Sequence, residues 1–228
     1  MAKIVVLTGA GMSADSGLKT FRDSDGLWEG HDVSEVATPR AWERDKELVL
    51  DFYNQRRQQA HTVDPNEGHK ALARLEEQHD VTIITQNVDS LHERAGSSQV
   101  VHLHGQLSKV RNEEDPSLIY DIGGDTIELG DTAEDGAQLR PHVVWFGEPV
   151  PNMRKAADIV PQADILIVIG TSLVVYPAAG LVDLATEGIP KYIIDPATPE
   201  LRSFSGWNHI KDRAAEGTPE LVENLLEN

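Results

Sequence analysis

The stretch KIVVLTGAGMSADSGLKTFRD, residues 3–23, determines the interpretation of the whole chain. Its apolar run at residues 4–7 is rich in β-branched side chains, which predicts a buried strand of a parallel sheet. The run ends at Gly9-Ala10-Gly11, where glycine permits a sharp turn and a close approach to the backbone. We therefore predict that residues 3–17 form a strand–turn–helix unit whose turn faces a phosphate group, as in dinucleotide-binding folds.

Two features of this stretch depart from the fingerprint of NAD dehydrogenases. The glycines occur as G-x-G-M-S, and no clear strand ending in an acidic residue follows about twenty positions later to hold a ribose. On the local pattern alone, a tight turn that binds no ligand explains the stretch equally well. The rest of the chain has to decide between these two interpretations.

The composition narrows the class of protein. The 228 residues include no cysteine, which excludes disulfides, iron–sulfur clusters, thiolate zinc sites and cysteine nucleophiles. The net charge of −18 disfavours non-specific binding to nucleic acid or acidic membranes and is compatible with basic polypeptide partners. No apolar run has membrane-spanning length, and the N-terminus lacks a signal-peptide core. We expect a cytoplasmic protein that binds neither nucleic acid nor membranes.

Alternating strand and helix patterns predict the fold class. Further apolar runs predict strands over residues 81–85, 100–104, 164–169 and 191–194. Helices are predicted over residues 66–80, 90–95, 156–162, 178–187 and 219–226. Such alternation is typical of an α/β protein with a Rossmann-like, doubly wound parallel sheet.

Two segments differ from this pattern and predict a smaller inserted domain. Residues 33–61 have helical spacing, and residues 106–138 are rich in glycine and acids, with short β-like pieces near 118–120 and 126–129. The second segment is either a separate small module or an extended loop. Strand character then returns at residues 141–148.

The predicted strands end in small or polar residues, and this supports the ligand interpretation. In a doubly wound sheet the ligand lies outside the carboxyl ends of the strands. The residues at these ends are Gly9, Ala10, Gly11, Gln86, Asn87, Val88, Asp89, His104, Gly105, Gly170, Thr171, Ser172 and Asp195. Five strand ends directed at one crevice favour a binding site far more than a single glycine turn does.

Three of these side chains suggest chemistry. Asn87 and Asp89 can hydrogen-bond hydroxyl and carboxamide groups, although capping of the local turn explains them as well. His104, at a strand end, is the candidate general base, and we assign His102 a structural role. The chain contains neither a nucleophile elbow nor a P-loop, so the chemistry must come from a bound nucleotide and a base.

Five sequence blocks together resemble the sirtuin family of NAD-dependent protein lysine deacylases. They lie in family order between residues 8 and 180 and read GAGMSADSGLKTFRDSDGLW, TQNVDSLHERAG, HLHG, RPHVVWFGE and GTSLVVYPAAG. The resemblance covers essentially the whole chain. It also accounts for the missing ribose acid, because sirtuins bind NAD inverted relative to dehydrogenases and consume it as a co-substrate.

The resemblance implies roles for individual residues. His104 would be the general base, assisted by Asn87, and Phe21 would shield the nicotinamide end. The implied NAD-binding residues are Gly9, Ala10, Gly11, Ser13, Ala14, Phe21, Arg22, Asp23, Gln86, Asn87, Asp89, Gly170, Thr171, Ser172, Asp195 and Ala214. Asp195 stands where many sirtuins have asparagine. The residues implied to bind the acyl-lysine peptide are Val144, Phe146, Gly147 and Glu148, with residues 173–176, and they would bind it by strand addition.

The implied reaction begins when the acyl-lysine oxygen attacks C1′ of the nicotinamide ribose and nicotinamide leaves. His104 then helps to remove a ribose hydroxyl proton, and water completes the release of lysine and O-acyl-ADP-ribose. The residues leave other functions open: an ADP-ribosyltransferase or NAD hydrolase on the same scaffold, or a non-catalytic sensor of NAD or ADP-ribose. His104 and the VVWFGE block argue against the two enzymatic alternatives. The complete set of motif residues argues against the sensor, because a protein that only binds NAD does not need the base.

A Tyr-x-x-Arg motif, Tyr53 and Arg56, resembles the desuccinylase-like branch of the family. There the tyrosine and arginine bind an acidic acyl group, and an alanine, here Ala37, widens the pocket. A guanidinium binds a carboxylate through two hydrogen bonds, and residues three apart share a helix face. A surface arginine beside a packed tyrosine is the structural alternative. We favour the pocket and expect removal of succinyl and malonyl as well as acetyl groups.

The chain departs from most sirtuins in lacking the four cysteines of the structural zinc site. The acidic residues within 107–139 leave a carboxylate zinc site possible, but we predict no zinc, because closed structural sites favour sulfur and nitrogen ligands. The predicted Rossmann-like domain comprises residues 1–29, 66–105 and 140–228. The smaller domain combines the helical insertion, residues 30–65, with the counterpart of the zinc module, residues 106–139. We expect a monomer.

Overall fold

A computed structural model describes residues 1–19, 27–28 and 31–227, with only the backbone at 27–28. Phe21, Arg22 and Asp23, which were predicted to bind NAD, lie outside the described residues. In chain order the strands are β1 (Lys3–Thr8), β2 (Leu27–Trp28), β3 (His31–Asp32), β4 (Asp80–Thr85), β5 (Val100–His102), β6 (Gly105–Asn112), β7 (Ile119–Asp121), β8 (Leu139–Val143), β9 (Ile165–Ile169), β10 (Lys191–Ile194) and β11 (Trp207–Ile210).

Helices connect most of these strands. They are α1 (Gly11–Ala14), α2 (Val33–Val36), α3 (Pro39–Arg44), α4 (Lys46–Thr62), α5 (Glu67–Leu75), α6 (Leu91–Ala95), α7 (Met153–Ile159) and α8 (Ala214–Leu226), with 3-10 segments at Val160–Gln162 and Ala178–Leu184. Over the ranges that the structure describes, no helix combines the length and apolarity needed to cross a lipid bilayer.

A six-stranded sheet in the order β11-β10-β9-β1-β4-β5 forms the centre of the described structure. Every neighbouring pair in it is parallel. The chain starts in the middle, at β1, and winds outward first to one side and then to the other, so the strand order reverses beside β1. The predicted α/β class with a doubly wound parallel sheet is confirmed.

The alternation of side chains along β1 explains why helices cover both faces of the sheet. Ile4 and Val6 face one layer, where Leu72 of α5 and Val222 of α8 are completely buried. Val5 and Leu7 face the opposite layer, which contains Val160 and Leu181 from the two 3-10 segments. Successive residues of a strand point to opposite faces, so a strand covered on both sides reads as a continuous apolar run.

The small module is a three-stranded antiparallel sheet in the order β7-β6-β8. Its loop is held by the buried side chain of Gln138, whose Oε1 accepts a hydrogen bond from the N–H of Gly130 at 2.8 Å. The Gln138 amide nitrogen lies 3.0 Å from the carbonyl oxygens of Glu128 and Asp131. A single amide therefore ties together backbone segments of a module that has no cysteine.

Arg57 joins the helical segment to this module. Its side chain is buried, its Nε–H donates to the carbonyl oxygen of Leu107 at 2.5 Å, and its Nη1 donates to Asn54 Oδ1 at 2.7 Å. Burial lowers the pKa of Arg57 to about 10, so it stays charged at neutral pH. The Asn54 amide also donates to the carbonyl oxygen of Ile127 and accepts from its N–H. A continuous set of hydrogen bonds therefore joins α4 to the module.

The structure differs from the sequence predictions at several elements. Residues 178–187 were predicted as a helix, but a 3-10 segment covers Ala178–Leu184. The closing helix α8 begins at Ala214 and contains Pro219. Strand β8 ends at Val143, within the predicted strand of residues 141–148, and residues 126–129 form no strand. The domain boundaries stay a prediction.

Candidate active site

A cleft of about 970 Å³ lies at the carboxyl ends of the parallel strands. Apart from residues 173–176, of which Leu173 is not part of the lining, all of the predicted site residues within the described ranges line it. They are Gly9, Ala10, Gly11, Ser13, Ala14, Tyr53, Arg56, Gln86, Asn87, Asp89, His104, Val144, Phe146, Gly147, Glu148, Gly170, Thr171, Ser172, Asp195 and Ala214. The sheet topology therefore brings side chains from both halves of the chain to one place.

Two glycine turns pack against each other at the floor of the cleft. The N–H of Gly11 donates to the carbonyl oxygen of Gly170 at 2.9 Å. A Cβ on Gly11 would lie 2.7 Å from the Cα of Gly170, and a Cβ on Gly170 would lie 2.3 Å from the Met12 nitrogen. Gly170 also has a φ of +61°, which disfavours other residues. Packing of the two turns thus requires glycine at both positions.

A polar triad follows β1 and β4. The hydroxyl of Ser13 donates to Asp89 Oδ2 at 3.0 Å, and the Asn87 amide donates to the Ser13 oxygen at 3.1 Å. The other Asp89 oxygen accepts from the N–H of Leu91 at 3.1 Å. Burial raises the pKa of Asp89, and these hydrogen bonds oppose that rise. Asp89 therefore caps a turn and also fixes Ser13 and Asn87 in the cleft.

The ring of His104 is oriented by a backbone carbonyl. Its Nδ1 lies 3.0 Å from the carbonyl oxygen of Gln86, which can only accept a hydrogen bond, so Nδ1 carries the proton. Nε2 is left with a lone pair. Burial lowers the pKa of His104, and the bond to Gln86 partly opposes this. A neutral imidazole with a free Nε2 suits a general base.

His102 supports the loop that carries Asn87. Its Nδ1 lies 3.1 Å from the Asn87 carbonyl oxygen, and its Nε2 lies 2.6 Å from Glu93 Oε1. These two contacts hold the ring from both sides. Burial raises the pKa of Glu93, but the hydrogen bond and charge of His102 lower it more, so the net shift is downward. This geometry agrees with the structural role that we assigned to His102.

The far end of the cleft contains the loops after β9 and β10. Gln86 Nε2 donates to the hydroxyl of Thr171 at 3.1 Å, which links the loops after β4 and β9. Asp195 is buried, and its Oδ1 accepts from the N–H of Ala197 at 2.8 Å. Ala214, the first residue of α8, is also buried. These groups form a wall of hydroxyl, amide and carboxylate side chains.

Residues 144–148 form one side of the cleft entrance. The N–H of Val144 donates to the His104 carbonyl oxygen at 2.9 Å, and the side chain of Phe146 is 48% exposed. Glu148 binds Arg140 at 2.8 Å and Arg111 at 3.2 Å, and it accepts from the N–H of Trp145 at 2.8 Å. Because its carboxylate is used internally, we expect Glu148 to fix this segment, and its contact with a peptide stays a prediction.

The buried end of the cleft combines Ala37, Tyr53 and Arg56 with Trp145. Ala37, Tyr53 and Trp145 are almost completely shielded from solvent, and the indole Nε1–H of Trp145 donates to the Tyr53 hydroxyl at 3.1 Å. Arg56 is half-buried, with its guanidinium carbon 5.7 Å from the centroid of the Phe52 ring. Burial raises the pKa of Tyr53 above its ordinary range, so the phenol stays protonated.

Trp145 and Arg213 are among the cleft residues that sequence reasoning did not assign. Trp145 sits between the predicted Val144 and Phe146, and its indole N–H, which usually needs a partner when buried, was the available signal. Arg213 lines the far end and forms an ion pair with Asp15 at 2.9 Å. It lies in a polar stretch before α8, and no local pattern marks it.

The described ranges contain no group of three histidine, aspartate or glutamate side chains arranged to hold a metal ion. Glu113, one of the acids of the small module, instead accepts from Trp42 Nε1 at 2.9 Å and Lys46 Nζ at 2.6 Å. The absence of zinc stays a prediction.

Comparison with known proteins identifies relatives along the whole chain. The Sir2 family model matches residues 9–177. The NAD-dependent protein deacylase of Helicobacter pylori strain J99 is 53% identical over 227 residues, which cover 100% of this chain and 97% of that protein.

Two solved structures are similar in fold. A crystal structure of a Sir2 homolog–NAD complex has a TM-score of 0.90 at 39% identity and covers 99% of this chain and 90% of that one. A Sir2 variant with a deacetylated p53 peptide and 3′-O-acetyl ADP-ribose has a TM-score of 0.81 at 28% identity and covers 97% and 92%. The family model, the relatives and the fold agree, and the chain belongs to the Sir2, or sirtuin, family.

Proposed function

We propose that this Sir2-family protein, an NAD-dependent protein deacylase, removes succinyl and malonyl groups as well as acetyl groups from lysine side chains. The products would be the free lysine, nicotinamide and O-acyl-ADP-ribose. The proposal joins two parts. NAD-dependent deacylation follows from the family and its relatives, and the preference for acidic acyl groups follows from the buried end of the cleft.

The side chains of the cleft suit NAD as a co-substrate. A dinucleotide presents ribose hydroxyls, a pyrophosphate and a carboxamide, and these groups need hydroxyl, amide and carboxylate partners. Ser13, Asn87 and Asp89 offer one such set after β1 and β4, and Thr171 and Asp195 offer another after β9 and β10. The two glycine turns between them leave the backbone accessible, as a pyrophosphate requires.

His104 would act as the base for a ribose hydroxyl. When bound, NAD supplies the C1′ carbon that accepts the acyl oxygen as nicotinamide leaves. The free Nε2 of His104 then accepts the hydroxyl proton, and the hydroxyl becomes a nucleophile for the acyl carbon. The Gln86 carbonyl holds Nδ1–H throughout, so the ring keeps one orientation while it gains and later loses the proton.

The peptide would lie between residues 144–148 and 173–176, with the acyl-lysine directed into the cleft. The exposed Phe146, Val174 and Tyr176 offer apolar contacts to a backbone that adds as a strand. At the buried end, Arg56 would bind the acyl carboxylate with two hydrogen bonds and Tyr53 would donate a third. Ala37 leaves room for the longer acyl chain.

The observation that carries this proposal is the shared position of Ala37, Tyr53 and Arg56 at the buried end of the cleft that also contains His104. It is tested with Arg56→Met, using acetyl-, succinyl- and malonyl-lysine peptides with and without NAD. The succinyl and malonyl rates should fall at least about tenfold more than the acetyl rate, as expected for a lost charge-assisted pair.

The matched control is Arg40→Met, which removes an exposed arginine on α3 and should leave the ratio between the acyl substrates unchanged. Equal loss on all three substrates in Arg56→Met would contradict the acidic-acyl part of the proposal. Absence of any NAD-dependent deacylation in the unmodified protein would contradict the proposal as a whole.

A further inference from the structure

The hydrogen bond between Trp145 and Tyr53 lies where the acyl group would end. The indole Nε1–H donates to the phenolic oxygen at 3.1 Å, and both side chains are shielded from solvent. Their ring centroids are 6.4 Å apart with an interplanar angle of 40°. Both residues line the cleft together with Ala37 and Arg56.

The chemistry of the two groups fixes the direction of this bond. An indole N–H can only donate, whereas a phenol both donates its hydrogen and accepts. Because Trp145 uses an acceptor position of the Tyr53 oxygen, the hydrogen of Tyr53 cannot point toward Trp145. The hydroxyl hydrogen of Tyr53 is therefore donated in another direction. An ionised carboxylate, which only accepts hydrogen bonds, is a suitable partner for it.

The indole itself is held on three sides. The guanidinium carbon of Arg140 lies 3.3 Å from the centroid of the Trp145 ring, a stacking arrangement. Glu148 accepts the backbone N–H of Trp145 at 2.8 Å and also binds Arg140 at 2.8 Å. The ring of Trp42 lies 5.7 Å away, centroid to centroid. These contacts fix the indole N–H in space, and through it the Tyr53 hydroxyl.

We propose that Trp145 is a positioning residue for acyl specificity, whose indole N–H orients the Tyr53 hydroxyl to donate to the terminal carboxylate of succinyl and malonyl groups. This inference rests on the proposed removal of acidic acyl groups. An acetyl group has no terminal carboxylate, so it gains nothing from the orientation. Burial keeps the pKa of Tyr53 raised, so the hydroxyl retains the hydrogen that it would donate.

The test removes the indole N–H of residue 145 while keeping an aromatic side chain at that position. Trp145→Phe and a variant carrying 3-benzothienylalanine at position 145, which keeps the bicyclic shape, are compared on succinyl- and acetyl-lysine peptides with NAD. The ratio of succinyl to acetyl kcat/KM should fall about fivefold in both, the size expected for one neutral hydrogen bond. Trp207→Phe is the matched control, because Trp207 lies on β11 and is not part of the cleft lining, so its replacement should leave the ratio unchanged.

A double-mutant cycle separates positioning from general damage. In a Tyr53→Phe background the hydroxyl is gone, so adding Trp145→Phe should not lower the ratio further. Equal loss on both substrates in the two position-145 variants, or a further fall of the ratio in the Tyr53→Phe background, would overturn this inference alone. An unmodified enzyme that removes acetyl but not succinyl groups would overturn the proposed acyl range and this inference with it.

Discussion

Nδ1 of His104 lies 3.0 Å from the backbone carbonyl oxygen of Gln86, which leaves Nε2 as the basic nitrogen of the ring. Gln86 follows β4 and His104 follows β5, so the bond joins the ends of two adjacent parallel strands. The orientation of the base is therefore a property of the sheet.

The first prediction concerns the pH dependence of deacylation. Burial lowers the pKa of His104, so the neutral ring persists to lower pH than that of an ordinary histidine. Protonation abolishes the base, and kcat/KM should fall on the acid side with a midpoint below pH 6.5. The measurement is kcat/KM for an acetyl-lysine peptide between pH 5 and about pH 9. A midpoint above the ordinary histidine value would contradict the assignment.

The second prediction concerns His102 and Asn87. His102→Phe removes both hydrogen bonds of the imidazole, so the loop that carries Asn87 loses its support, and kcat/KM for NAD should fall about tenfold. Glu93→Gln keeps a neutral acceptor for the ring and should lose less. NAD titrations at a saturating peptide concentration measure both. If the two variants match the unmodified enzyme, His102 does not position Asn87.

The third prediction concerns the stability of the small module. Gln138→Ala removes the partly buried hydrogen bonds that tie the backbone of this loop together and should lower the free energy of unfolding by about 2 kcal/mol. Denaturant unfolding measures this. Gln99→Ala is the matched control, since the exposed side chain of Gln99 donates to Asp80 Oδ1 at 2.9 Å, and its removal should have little effect.

A metal-removal experiment tests the prediction that the small module binds no zinc. A zinc chelator should change neither the midpoint of thermal unfolding nor the deacylation rate, because the chain has no cysteine to form a thiolate site. Zinc present at one equivalent per chain in elemental analysis would contradict this.

The fourth prediction concerns acid stability. His69 is completely buried against His92, with ring centroids 4.8 Å apart, and within the described ranges neither of its ring nitrogens has a hydrogen-bond partner. Burial lowers the pKa of His69 to about 4. Below pH 6.5 the unfolded chain therefore binds a proton at His69 that the folded chain does not bind. The free energy of unfolding consequently falls as the pH drops.

For His69 alone, the free energy of unfolding should be about 2 kcal/mol lower at pH 5 than at pH 7. His69→Phe should flatten this dependence, whereas His61→Gln, which changes an exposed histidine, should not. Thermal unfolding across this pH range measures the three slopes. Identical slopes in all three proteins would show that His69 does not titrate with unfolding.

The sequence predicted the central sheet because its strands are buried on both faces and so appear as continuous apolar runs, as in β9 (Ile165–Ile169). It missed β11 (Trp207–Ile210), an edge strand whose WNHI residues are only partly buried and carry no such run. It also missed β6 (Gly105–Asn112), whose GQLSKVRN sequence contains only two large apolar residues, three positions apart, in a segment that otherwise resembles a loop. Local patterns do not record pairing with a distant strand.

The site was predictable where residues follow strands, because topology alone directs strand ends to one crevice. The N–H of Gly11 binds the carbonyl oxygen of Gly170 there, although the two residues are 159 positions apart in the sequence. The role of Trp145 could not be predicted in this way. Its partner Tyr53 lies on a helix of another segment, and only the folded chain brings the indole N–H to the phenol.

The most direct test of the central claim is the product balance of one reaction. Nicotinamide, deacylated peptide and O-succinyl-ADP-ribose are quantified by mass spectrometry after incubation with NAD and a succinyl-lysine peptide. We predict equal amounts of the three with the unmodified enzyme and loss of all deacylated peptide with His104→Ala. A peptide that gains ADP-ribose, or nicotinamide and ADP-ribose released without deacylated peptide, would contradict the account.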